Sequence, residues 1–180
     1  MLTKIRSSKE IIFEMLLISE NRTTDILEII TNEKIYPVVL NQQEATDIFN
    51  EKIKDEARKG KHVILRETSL YTRDTHRVVS VNSGFICKEY VPPELYLGII
   101  GKEKGIGEIM AGMNINSSRR ILQKGWRSED SLVDICDKGF SNNFGTVETL
   151  IPFKKYELMF AGYAQPGIYL IEYYNPYVLN

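Results

Sequence analysis

The chain has 180 residues, with 23 basic and 24 acidic side chains and a formal charge of −1. Hydrophobic residues make up 43% and charged residues 26%, globular proportions that argue against disorder and, without a basic excess, against a nucleic-acid partner. The length suits one domain, 1–180, with a full core.

At the start of the chain, Lys9, Glu10 and Glu14 interrupt the apolar run that follows Lys4 and Arg6. Neither a signal peptide nor contact with a membrane is expected, and a cytoplasmic location is the expectation that follows. Ser7-x-x-Glu10 has the form of a capping box, and Ile11, Ile12, Met15 and Leu16 follow at helical spacing. A second short helix is predicted from Thr24 to Ile30, capped by Thr23 or Thr24. Lys34–Gln42 is rich in β-branched residues and reads as a strand, which by Pro37 either lies at a sheet edge or carries an irregularity. Glu44–Arg58 returns to helical spacing and stops at Gly60.

Lys61–Tyr71 and Arg77–Lys88 form a predicted hairpin across the polar turn Thr72–His76. Short helices are predicted at Glu94–Ile100 and Gly107–Met110, and strands at Arg119–Lys124, Leu132–Cys136, Phe153–Ala164 and Gly167–Tyr174. Helices first and then mostly consecutive strands favour an α+β fold, an antiparallel sheet with helices packed on one face. An exposed edge such as Ile35–Gln42 leaves a homodimer open.

Two charges fall inside apolar strands. Arg66 shares a strand face with Ile64, Thr68 and Leu70, and Glu172 shares one with Leu170 and Tyr174. Each is either half of an ion pair or a group that meets a ligand, because a buried charge needs a partner. In the second case Arg66 clamps a carboxylate in two-pronged fashion and Glu172 serves as acceptor, acid or base. Gly105-Ile106-Gly107 allows close backbone approach, although taken alone a plain turn is the favoured reading. Cys87 and Cys136 stand apart without a CxxC or Cys/His cluster, and His62 and His76 are isolated, so no metal or other cofactor is expected.

Taken together, these segments resemble the chorismate pyruvate-lyase family, and in particular its chorismate lyase-like branch. The likeness runs from about Ile11 to Pro176 through Thr24-Asp25-Ile26-Leu27-Glu28, Leu65-Arg66-Glu67-Thr68-Ser69-Leu70, Gly105-Ile106-Gly107 and Ile171-Glu172-Tyr173-Tyr174-Asn175-Pro176. It implies an antiparallel sheet of about six strands with helices on one face. It also implies an enzyme that removes pyruvate from chorismate to leave 4-hydroxybenzoate, without metal or covalent intermediate. By this resemblance Arg66 and the backbone at Ile106 and Gly107 hold the ring carboxylate, and the backbone near Thr23 closes the lid. Glu172 takes the 4-hydroxyl, and Arg119 or, by strand parity, Arg120 meets the second carboxylate. The chain departs from the family pattern at Thr23, at Gly105, at Lys154-Lys155 and over 126–143. The same fold is similar to the effector (UTRA) domains of GntR-type regulators, which makes a non-catalytic domain binding an aromatic or carboxylated molecule the alternative function. A winged DNA-binding module needs roughly 60 residues more than the chain offers, so the expectation is a free-standing domain.

Overall fold

The structure, a computed structural model, describes residues 7–19, 22–45, 62–142, 144–145 and 150–179. Two helices come first, α1 (Ser8–Ile18) and α2 (Thr23–Thr31). Ser7 and Glu10 close the capping box at the start of α1 as the sequence predicts. The predicted caps of α2 are not used. Arg22 stands at its N-cap without a side-chain hydrogen bond, because the Thr23 hydroxyl donates to Glu172 and accepts from Lys154.

Three strands follow, β1 (Ile35–Glu44), β2 (Val63–Thr72) and β3 (Val78–Cys87). Next come two helices, α3 (Pro93–Ile100) and α4 (Ile106–Gly112), and then β4 (Ser117–Ser128), β5 (Leu150–Phe160) and β6 (Ile168–Tyr174). From residue 46 onward the predicted helix Glu44–Arg58 lies outside the described residues, and Glu44 itself ends β1. The strands form one antiparallel six-stranded sheet in the order β1-β2-β3-β6-β5-β4. Pro37 lies in β1 at one edge, where a missing N–H costs no ladder bond.

Cross-strand partners share a face, so the register sorts the core. Ile64, Ile86, Tyr156, Leu158, Ile168 and Leu170 pack beneath α3 and α4 at one end of the sheet. Leu70, Val79 and Tyr174 pack beneath α1 and α2 at the other. The opposite face buries Val81, Phe85, Ile151, Phe153, Tyr169 and Tyr173 against Leu132, Ile135, Cys136 and Phe144. The described helices therefore cover one face as predicted, and the described part of the β4–β5 connection packs on the other.

Leu132–Cys136, predicted as a strand, is not part of the sheet, and Val133 forms only an isolated bridge with Gly139. The reason is local. The Asp134 carboxylate accepts from the backbone N–H groups of Cys136 and Lys138, both at 2.8 Å, which bends the chain into a turn in place of a ladder. Its anchor is Tyr173, whose hydroxyl donates to the Val133 carbonyl at 2.8 Å and accepts from Arg127 at 2.8 Å.

Candidate functional site

Between the two apolar clusters on the helix face, the pattern of the sheet breaks. Thr68 pairs with Asn82, Asn82 with Glu172, and Glu172 with Lys154, so four adjacent strands place a polar side chain at the same level. All four are buried. Above this belt lies a cavity of about 410 Å³, within the usual size of a small-molecule site. Thr68, Asn82, Glu172 and Tyr156 contribute to its floor, Ile35, Pro37, Leu70, Ile106, Met110, Leu158 and Leu170 to its walls. Arg22, Lys34, Arg73 and Arg119 bring positive charge to it, against Glu28, Glu108 and Glu172. Two of these cations already meet carboxylates, since Lys34 Nζ lies 2.7 Å from Glu28 Oε2 and Arg22 Nη1 3.6 Å from Asp25 Oδ1.

The sequence-predicted residues divide. Glu172, Thr23, Ile106 and Gly107 all line the cavity. Arg66 does not, although it is buried on the same sheet face. Its Nη1 donates to Gln42 Oε1 at 2.7 Å and to the Ile99 carbonyl at 2.9 Å, and its Nη2 donates to the Lys104 carbonyl. Burial pulls its pKa down to about 10. In this arrangement Arg66 ties the end of α3 and the approach to α4 onto β2, and it does not meet Glu172.

Arg119 and Arg120 are separated by strand parity. Arg119 pairs with Leu158 and faces the cavity, its guanidinium 4.4 Å from the centre of the Tyr156 ring. Arg120 pairs with Glu157 on the opposite face and bridges that carboxylate at 2.6 Å. A bulge between Ile121 and Gln123 shifts the parity of β4, which is why Leu122 does not report the face of either arginine.

Glu172 finds its counter-charge in Lys154, with Nζ 3.6 Å from Oε2. The same oxygen accepts from Tyr174 at 2.7 Å and from Thr23 at 3.2 Å. Burial, and then the Glu172 charge, push the hydroxyls of both Tyr156 and Tyr174 above the usual phenol range, so both stay protonated donors. The Lys154 ammonium is held below its ordinary value, first by burial. Sequence reasoning marked Lys154 only as a departure from a family pattern and passed over Asn82 and Tyr156. Strand parity offered a signal, because Lys154, Tyr156 and Leu158 alternate on one face of β5.

A scan against protein-family models finds no match, and no curated protein matches either. Solved structures do match. The effector domain of PhnF from Mycobacterium smegmatis superposes with TM-score 0.57 and 11% identity, over 87% of this chain and 90% of that one. The effector-binding domain of the Bacillus subtilis trehalose repressor TreR gives TM-score 0.50 and 12% identity, over 78% of this chain and 90% of its own. The ligand-binding domain of a regulator assigned to the GntR family, from Bordetella bronchiseptica, gives TM-score 0.50 and 10% identity over 78% and 84%.

At these identities the likeness is one of fold, and the fold is the α+β one seen in these effector- and ligand-binding domains. The lyase activity expected from the sequence is corrected by these matches. The neighbours named for a role are transcriptional regulators, several of them described as effector- or ligand-binding domains, and none of the findings carries chorismate chemistry to this chain.

Proposed function

We propose that this chain is a non-catalytic small-molecule binding domain whose cavity takes a compact organic anion, with a carboxylated ring as the first class to test. The observation that carries this reading is the cavity itself, set where a polar belt separates two apolar clusters on one sheet face. Apolar walls suit a ring or short carbon frame, and Arg119 beside Tyr156 suits a carboxylate. Glu172 and Asn82 on the floor suit a hydroxyl of the same molecule. Domains that share the fold in transcriptional regulators are described as binding effectors, which supports binding without turnover.

Titration calorimetry with 4-hydroxybenzoate, alongside benzoate and an uncharged sugar, tests the reading. Saturable heat for the hydroxylated acid, weaker heat for benzoate and none for the sugar is the expected order. Failure of every probe, together with no small molecule released on denaturing the purified protein, would remove the proposal.

A further inference from the structure

Lys154 is 0% exposed, yet it is not among the residues lining the cavity. A fully buried ammonium is costly unless its donors are used, and here they are. Nζ donates to the Leu16 carbonyl at 3.0 Å, the Ser19 carbonyl at 3.4 Å and Thr23 Oγ1 at 3.1 Å. Leu16 lies in the last turn of α1, where backbone carbonyls lack helical partners and a cation is favoured by the helix dipole. Ser19 is the C-cap of that helix, and Thr23 is the first residue of α2. One side chain from β5 therefore joins the end of α1 to the start of α2. The rings of Tyr156 and Tyr174 flank the ammonium at 5.4 and 5.8 Å, and Glu172 balances its charge.

Two of the groups that hold Lys154 in this position, Thr23 and Glu172, do line the cavity. Their hydrogen bond to each other closes a triangle whose third corner is Lys154. We propose that Lys154 is a positioning residue, acting through Thr23 and Glu172 to clamp the end of α1 to the start of α2 beside the cavity, so that occupancy of the cavity and seating of these two helix ends are coupled. The coupled part rests on the proposed binding function, and the clamp itself does not. A ligand that draws on Glu172 or Thr23 alters what balances Lys154, and the ends of α1 and α2 are where that change is felt. Coupling of this kind is reciprocal, so loosening the helix ends weakens binding by the factor with which binding tightens them.

Hydrogen exchange read by mass spectrometry on the full chain tests this, with 4-hydroxybenzoate as the probe. Without probe, Lys154→Met is expected to speed exchange over residues 15–19 and 22–27 by about tenfold, the scale of lost charge-assisted hydrogen bonds, while β2 and β3 keep wild-type rates. With probe, the wild type slows exchange in the same two segments and Lys154→Met loses that slowing. Thr23→Val removes one corner of the triangle without burying or exposing a charge, and it reproduces the local loosening more weakly. Wild-type exchange at both helix ends in both variants would overturn the clamp. Should Lys154→Met raise exchange throughout the molecule, Thr23→Val decides, with a local rise supporting the clamp and none overturning it. A wild type that ignores the probe counts against the binding function with this ligand, and the comparison without probe still judges the clamp.

Discussion

Arg66 reaches from β2 to the last turn of α3, where its Nη1 donates to the Ile99 carbonyl at 2.9 Å. With the Lys104 carbonyl and Gln42 as further acceptors, one guanidinium spans the whole α3–α4 turn. An arginine so engaged is a strut for the wall that carries Ile106 and Gly107.

Replacing it should therefore show first in stability. Arg66→Ala takes the donor from the Lys104 carbonyl and one of two donors from the Ile99 carbonyl, which keeps the Lys102 N–H, and it leaves a gap beneath α3, which together cost about 2 kcal/mol by the usual penalty for unmet buried polar groups. Urea denaturation followed by circular dichroism measures this directly. A variant as stable as wild type, with only ligand affinity reduced, would return Arg66 to the ligand.

The opposite split is expected at Arg119. It faces the cavity from a half-buried position on an edge strand, and its contacts with the protein include the Tyr156 ring and the Ser19 carbonyl, the latter at a long 3.4 Å. Arg119→Gln is expected to weaken 4-hydroxybenzoate binding by about tenfold or more, the scale of one lost charged hydrogen bond, with the unfolding midpoint close to wild type. Arg120→Gln, whose parent side chain bridges Glu157 on the other face, should leave affinity unchanged. Equal losses from the two variants in calorimetry would contradict the parity assignment.

How far the sequence carried depended on whether a signal was periodic. Strand alternation correctly put Arg66 with Ile64, Thr68 and Leu70, and Glu172 with Leu170 and Tyr174, on one face of a six-stranded antiparallel sheet. The capping box at Ser7 and the edge position of Pro37 were equally legible, because each rests on one local rule. Alternation gives the face of a side chain but not its partners, and partners decide function. Nothing within the strand holding Arg66 announces that Ile99 and Lys104 lie 33 and 38 residues further on, waiting for its donors. The same limit hid Lys154, whose acceptors on Leu16, Ser19 and Thr23 are more than 130 residues away. Leu132–Cys136 failed for a different reason, a single aspartate turning a β-rich segment into a bend.

Gly84 offers a test of how tightly the sheet closes beneath the cavity. It pairs with Arg66 on one side and with Leu170 on the other, and Leu170 lines the cavity. A Cβ built on Gly84 would stand 2.5 Å from Leu170 Cδ2 and 2.6 Å from the Tyr169 carbonyl oxygen. The leucine can rotate away, but the carbonyl belongs to the strand and cannot. Gly84→Ala should cost about 1–3 kcal/mol, as overpacking in a filled interior does. The displaced Leu170 should also reduce 4-hydroxybenzoate affinity. Thermal unfolding and calorimetry on the same sample read both, and an unaltered melting temperature would mean that the strands give way more easily than the register implies.

Alkaline pH should unfold the protein by a route set by its two buried thiols. Cys87 and Cys136 are free, and burial pushes their pKa values up from 9.0 to about 12 and about 11. In the unfolded chain both ionise near 9, whereas in the folded protein both keep their protons. Above pH 9 the unfolded state thus binds fewer protons than the native state, so stability falls as pH rises. Each thiol contributes a slope of about 1.4 kcal/mol per pH unit, until pH reaches its folded value. The buried Tyr156 and Tyr174, raised above their ordinary value of 10.0, add to the decline at higher pH. Lys154 and Arg66 act in the opposite sense, because burial lowers their folded values and deprotonation favours the native state. Those two are unchanged in a Cys136→Ala variant, so the difference between that variant and wild type isolates one thiol. Urea midpoints measured between pH 8.5 and 10.5 should fall more gently in Cys136→Ala, and parallel curves would show that the thiol ionises as readily in the fold as out of it.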